Sequence, residues 1–521
     1  MLPIPALLKR SLIFVHRWLG VALSIVFLIW FVSGIVMMYW SFPGISAKHR
    51  LQRAPTLDPA RITVSPEQAF AALNRDQSAV DVRLSSFDGR PVYRFGAAMV
   101  YADDGTVQQH VDAAMIDRAA AAWTGRPLTE ATKQAVQQVD QWTVGDLRNV
   151  RPMFKYSWPD GQQVYVNGNT AEIAQYTTTA SRFWAYLGAI PHWFYFTPLR
   201  KHHLAWFSFV VWASLLGTIT ALLGVVIIIW MYSPGKRYLH AGAATSIPYR
   251  GWKRWHAITG LFFGVVAMPW AFSGLLSMGP FPAMNRLTDL TVPAPAEGRA
   301  GGLNVAIALR GSRALPLSAY ADRPPRNAIA AVQGFDAKEL ESTSFAGEPL
   351  YLITNGRGET RLIPLHGDPR TTLHPEDVLR VVRNAVGPNL ADLRIIEEYD
   401  AYYLDRRRER PLPVIYARLN DAVGTRYYID PKTVTIVGEY SARSWVDRWL
   451  YHGLHSLDFP WLYNYRPLWD IVVIGLMLGG TALCGTALVL TWRVLVRNIA
   501  SSRARLNHPN EDLALEHDGR M

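Results

Sequence analysis

His16 stands in the run FVHRWLG, directly before VALSIVFLIWFVSGIVMMYW, a segment long enough to cross a bilayer. A titratable imidazole is costly in hydrocarbon unless something binds it, so a histidine at such a place marks a functional site. It has a counterpart. Setting the first apolar block against a later one at a shift of 240 pairs His16 with His256, Gly20 with Gly260, Trp30 with Trp270, Ser33 with Ser273 and Gly34 with Gly274. A shift of 263 sets IPHWFYF, residues 190–196, against GLHSLDF, residues 453–459, and pairs His192 with His455.

Two imidazoles that face one another with no carboxylate or thiolate beside them suit a b-type haem held from both sides. Zinc takes three or four protein ligands, and each pair offers two. The expected ligands are therefore His16 with His256 for an inner haem b and His192 with His455 for an outer one. His452, three residues before His455, and His202 with His203 at the start of the second apolar block are alternative outer ligands. Arg17 and Arg254 stand beside the inner pair as candidate propionate partners, and Arg200, Lys201 and Arg466 stand near the outer one. Gly20, Gly34, Gly260 and Gly274 leave room for a flat macrocycle, although small residues also serve plain helix packing. His240, His508 and His517 read as solvated, and Trp30 and Trp270 are assigned no chemistry.

The elements that must position these residues are apolar helices. Half of the 521 residues are apolar, and four blocks reach the roughly 20 residues that span a bilayer, near 12–40, 204–232, 258–278 and 468–492. The expected division is a first membrane helix in 1–40, an outer domain in 41–190 and a second helix with its lead-in in 191–232. A loop at 233–255, a third helix in 256–278, an outer domain in 279–445, a fourth helix with its lead-in in 446–492 and a tail at 493–521 complete it. Lys9, Arg10 and Arg17 flank the first block, Lys236, Arg237, Arg250, Lys253 and Arg254 fill the short connection, and Arg493, Arg497, Arg503 and Arg505 follow the fourth. Short basic flanks stay in the cytoplasm, so both termini are expected there and both large segments outside. Each half is then helix, outer domain, helix. The halves form parallel repeats about an axis along the membrane normal, with the two histidine levels on the order of 30 Å or more apart.

The net charge of +12 reflects these flanks in part, and no aromatic-interleaved basic motif supports nucleic-acid binding. The first apolar run is too long for a signal peptide and reads as a retained anchor. Cys484 is the only cysteine, which excludes an intrachain disulfide, a thiolate-ligated zinc, an iron–sulfur cluster and covalent haem attachment.

The outer segments read as α+β units. Ser65-Pro66-Glu67 and His374-Pro375-Glu376 open helices, and alternating strands follow at 162–168 and 425–433. No dinucleotide fingerprint, phosphate loop or nucleophile elbow occurs. The run EEYDAYYLDRRRER, residues 397–410, is a candidate substrate surface through Glu397, Glu398, Asp400 and Tyr402, with Asp405, Tyr399 and Tyr403, or else a solvated strand edge. The polar tail after Arg503 is expected to be disordered.

With the repeat, IPHWFYFTPLR, YYIDPKT and HGLHSLDFPWLYNYRPLWD in view, the chain resembles the PepSY-associated transmembrane family over nearly its whole length. The resemblance implies a multi-pass protein of the bacterial inner membrane with periplasmic PepSY-like domains. It is similar to dihaem ferri-siderophore reductases, which implies reduction of a ferric chelate in the periplasm with release of Fe(II). The cytoplasmic connections are too short for a flavin or nicotinamide domain, so the donor is a quinol or a separate cytoplasmic reductase. The alternatives are a non-enzymatic regulatory or assembly protein and a metal or solute transporter.

Overall fold

The computed structural model describes residues 4–75, 81–279, 305–311 and 315–507. The chain divides into two compact units, residues 1–42, 183–280 and 449–521 in one and residues 43–182 and 281–448 in the other.

The first unit is built on four helices, α1 (Ile4–Met37), α2 (His203–Met231), α3 (Trp252–Ser277) and α4 (Leu468–Asn507). Each carries a stretch long and apolar enough to cross a membrane: Ala6–Met37, His203–Met231, Trp252–Ser277 and Leu468–Ser501. Small residues dominate the buried faces, Ala213, Ser214, Gly217 and Thr220 on α2 and Ala257, Gly264, Ala267, Ala271 and Ser273 on α3. They let backbones approach where no hydrophobic drive between helices operates. Large apolar side chains such as Ile25, Phe262, Val265, Ile471 and Leu478 point outward instead. Each helix packs on two neighbours, in the ring order α1, α2, α3, α4. That order leaves α1 diagonal to α3, so side chains from these two meet across the centre.

Two short helices fold back onto the ring. Ala189–Trp193 packs on α1, and Leu454–Ser456 packs on α3. Their anchors correspond: the Trp206 indole donates to the Trp193 carbonyl at 2.7 Å, and Trp469, 263 positions later, donates to the Ser456 carbonyl at 3.0 Å. α4 continues to Asn507, so residues 504–507 are helical where disorder is expected from the sequence; residues 508–521 lie outside those described.

The second unit is α+β. Ser65 caps the helix Pro66–Ala71 by accepting from the Gln68 amide, as the motif predicts. His374 precedes Pro375–Val386 but makes no side-chain cap. Two four-stranded antiparallel meanders follow the helices Ala113–Thr124 and Pro375–Val386. One comprises Thr132–Ala135, Met153–Ser157, Gln163–Asn167 and Ile173–Thr177, the other Leu390–Ile396, Val414–Leu419, Arg426–Asp430 and Thr435–Tyr440. Both carry an irregularity after corresponding tyrosines, at Tyr165/Val166 and Tyr428/Ile429.

The expected split into separate domains at 41–190 and 279–445 misses a third sheet. Arg83–Phe87, Arg90–Phe95, Ala98–Tyr101 and Val107–Gln108 join Ala337–Phe345, Glu348–Asn355 and Thr360–Pro364 in one seven-stranded sheet, through the antiparallel pairs Arg83↔Glu341 and Leu84↔Leu340. Leu84, Tyr93, Leu340 and Ile353 are fully buried in its core. Alternation marks a strand but not its partner, so pairing across some 250 residues is invisible in the pattern.

Candidate functional site

The two expected histidine pairs meet. His16 on α1 and His256 on α3 have ring centres 6.3 Å apart with planes at 34°. His192 and His455, on the two folded-back helices, have ring centres 6.2 Å apart at 73°. All four rings are half-buried, whereas the alternatives His202, His203 and His452 are exposed and line neither cavity described below. His203 instead meets Arg200, and His452 lies against the Tyr451 ring.

The hydrogen bonds fix which ring nitrogen carries the proton. His16 Nδ1 lies 3.0 Å from the Thr220 carbonyl, which can only accept. His256 Nδ1 lies 3.1 Å from Thr486 Oγ1, whose own hydrogen goes to the Leu483 carbonyl at 2.7 Å, so the hydroxyl accepts from the ring. Ser33 Oγ donates to the Ile29 carbonyl and accepts from His192 Nδ1 at 3.0 Å. Ser273 Oγ donates to the Trp270 carbonyl and accepts from His455 Nδ1 at 3.1 Å. Each of the four rings thus carries a proton on Nδ1, which leaves Nε2 as the nitrogen that can take a metal. Metal-bound histidines are held in this way, the second nitrogen tied to a carbonyl or hydroxyl that fixes tautomer and ring plane.

The spacing fits one metal atom between each pair. Two metal–nitrogen bonds of about 2 Å, plus about 1.1 Å from each nitrogen to its ring centre, set the centres about 6 Å apart. Among the described residues no three His, Cys, Asp or Glu side chains gather as a metal site, so the donor set is two imidazoles and no more. Two imidazoles with no further protein donor are a set that would fit haem, a group that brings its remaining ligands with it.

Each pair opens into a cavity of cofactor size, for which about 300–1,000 Å3 is usual. The inner cavity, about 630 Å3, is walled by apolar side chains and lined by exposed Arg17, Arg250, Lys253, Arg493 and Arg497. Arg254, expected beside the pair, instead donates to Thr245 Oγ1 and the Ile247 carbonyl. The outer cavity, about 340 Å3, is aromatic, with Trp30, Tyr195, Trp206, Trp270 and Tyr451, and among the described residues no charged side chain lines it. The propionate partners expected there are elsewhere: Arg200 is caged behind Tyr195 and Trp206, Arg466 pairs with Asp470 and lies over Trp469, and Lys201 is exposed. Phe27, Phe31 and Ala267 line both cavities and form the partition between them.

The levels are closer than expected. The outer rings bond Ser33 and Ser273, which follow His16 and His256 by seventeen residues each, about 25 Å along a helix. The short helices carry His192 and His455 back alongside the ends of α1 and α3, so they do not stand beyond them.

Gly20 and Gly260 line the inner cavity and Gly274 the outer, while Gly34 packs under Met477 and His192. Gly224 escaped the sequence reading because position 487, 263 later, is alanine. A Cβ there would stand 2.8 Å from His16 Cε1. Gly224→Ala should push the ring off the Thr220 carbonyl and weaken metal or haem retention at the inner pair about tenfold or more. Titration of the purified protein measures this, with Gly475→Ala, where a Cβ meets open space, unchanged. Of the other ring-holding groups, Ser33 and Ser273 were visible as matched positions. Thr220 and Thr486 were not, because one acts through its carbonyl and the other through its hydroxyl. The helical position is still shared, since Leu483, which receives the Thr486 hydroxyl, lies 263 residues after Thr220.

The acidic and aromatic run belongs to the second unit and is largely occupied with its own loop. Asp400 accepts the Tyr428 hydroxyl and the amides of Tyr402 and Tyr403, while Asp405 accepts three amides of its own turn. The Tyr402 ring lies under Arg426 and against Tyr440, the Tyr399 hydroxyl bonds the Arg410 carbonyl, and Glu397 and Glu398 are exposed. Asp140 repeats the Asp400 arrangement with the Tyr165 hydroxyl and the amides of Trp142 and Thr143. Burial, with the facing carboxylate, pushes both phenols well above their ordinary pKa, so they remain donors. The pair of motifs reads as sheet structure, and the site role expected for Asp400 and Tyr402 has no support in this geometry.

The family described as PepSY-associated TM region matches residues 14–368. No curated protein matches the chain.

Proposed function

This chain belongs to the PepSY-associated TM-region family, and from that premise we propose that it is a b-type dihaem reductase of the bacterial inner membrane, delivering electrons to a ferric chelate such as a ferri-siderophore. The observation that carries the reading is the recurrence, at two levels, of paired Nδ1–H imidazoles about 6 Å apart. Bound there, haem supplies one-electron transfer across the membrane.

The chain's own residues do the rest. Thr220 and Thr486 hold the inner rings and Ser33 and Ser273 the outer ones, so that Nε2 is presented without reorganisation. Arg17 and the other cations of the inner cavity neutralise propionates. Phe27 and Phe31 line both cavities and put apolar rings between them. The acceptor is substrate: one electron converts chelated Fe(III) to Fe(II), a softer ion that hard oxygen chelators hold less tightly.

The matched anchors of the two halves, Trp206 with Trp469, Ser33 with Ser273 and Tyr165 with Tyr428, support parallel repeats. The basic flanks support cytoplasmic termini with PepSY-like domains in the periplasm. The electron donor is then a quinol or a separate cytoplasmic reductase.

A pyridine haemochrome count on the purified protein tests the reading, and two haems per chain are expected. A count of zero returns the protein to a regulatory or assembly role, and a count of one removes the outer site. Ferric chelate should reoxidise the reduced protein in detergent; uptake into vesicles without reoxidation would make it a transporter.

A further inference from the structure

Arg200 is 5% exposed, a rare position for a guanidinium without a carboxylate beside it. One Nη meets His203 Nδ1 at 3.1 Å, Nε meets no acceptor, and no carboxylate among the described residues pairs with it. Its guanidinium carbon lies 4.2 Å from the Trp206 ring centre and 4.9 Å from that of Tyr195, and both rings line the outer cavity. A buried charge without a counter-ion is destabilising, and the two aromatic faces compensate in part. What remains is an unneutralised positive charge one aromatic layer from the outer cavity.

The inner cavity differs in kind. Its five cations are exposed, where water and salt screen them and propionates neutralise part of their charge. Among the described residues no charged side chain lines the outer cavity, and only the Tyr195 and Trp206 rings stand between it and the Arg200 guanidinium.

We propose that Arg200 is a fixed positive charge that raises the reduction potential of the outer centre and so directs electrons outward; this rests on the dihaem reading. Reduction adds negative charge, and a cation held behind an aromatic layer stabilises the reduced form more than the oxidised one. Arg200 touches neither metal nor chelate and acts through its field alone.

A spectroelectrochemical titration of the haem-loaded protein tests it, with the outer component identified as the one missing from His455→Ala. In Arg200→Gln the reduced-to-oxidised ratio of the outer component at a fixed potential should fall about tenfold, equivalent to about 59 mV for one electron, and the inner component should not move. Arg200→Lys should restore the ratio to within about threefold of the parent, because the charge returns. His203→Glu offers a second route that leaves Arg200 in place: a carboxylate on the guanidinium should lower the outer component in the same direction. An unmoved outer midpoint in both Arg200→Gln and His203→Glu, or an equal shift of both components, overturns the proposal. Should Arg200→Gln fail to hold the outer component, His203→Glu alone decides. A parent protein without haem would instead count against the dihaem reading.

Discussion

On the proposed dihaem reading, His16→Ala and His256→Ala should each reduce the haem content from two per chain to one, and the same spectral component should disappear in both. The two residues come from diagonal helices and meet across the bundle, so removing either leaves a lone imidazole 3 Å from its own Thr220 or Thr486 partner with nothing opposite. Reoxidation of the outer component by ferric chelate should persist in dithionite-reduced protein, because dithionite loads it directly. Electron delivery from the cytoplasmic side should fall by more than about a hundredfold, since the entry level is gone. His256→Met separates ligation from packing. It keeps an axial donor, so the count should stay at two while the midpoint of that component rises, as Met/His ligation does relative to His/His. Two haems with unaltered midpoints in both alanine variants would remove these residues from the site.

Much of this site was legible because matched residues recur at fixed offsets, and a histidine in an apolar span is too costly to recur by accident. The four ring positions, Ser33, Ser273 and the four apolar helices all came from that register and from hydropathy. What the pattern hid has physical causes. Ring-holding by the Thr220 carbonyl is a backbone property that no residue type announces, and Thr486 reaches the equivalent Leu483 carbonyl only through its hydroxyl. Arg17 lines the inner cavity as its place in the sequence suggests, but an arginine near a histidine in sequence points wherever its helix face points. Arg254, two residues before His256, turns to Thr245, while Arg493 and Arg497 arrive from a different helix. The seven-stranded sheet was illegible for a similar reason, since alternation at Arg83–Phe87 cannot name Ala337–Phe345 as its neighbour. The acidic run drew attention by composition, yet its carboxylates Asp400 and Asp405 hold the loop together.

The second large effect belongs to the outer pair. His192→Ala or His455→Ala should lower the count to one, leave the inner component reducible, and slow chelate-driven reoxidation by more than about a hundredfold, because the last centre before the substrate is missing. His202→Ala, His203→Ala and His452→Ala should keep two haems, since these exposed rings line neither cavity. Ser33→Ala and Ser273→Ala should fall between. Each removes the acceptor that holds Nδ1–H, freeing the ring to rotate and to change tautomer, and loss of such a partner typically weakens retention about 10–100-fold. Ser33→Thr keeps the hydroxyl on a helix that already bonds it back to the Ile29 carbonyl, so most of the retention should return. The order expected from a haemochrome count during dilution is parent, then Ser33→Thr, then Ser33→Ala, then His192→Ala. If Ser273→Ala retained haem as the parent does while His452→Ala lost it, the ligand role of His455 would pass to the exposed ring, and the Ser273 contact would be packing alone.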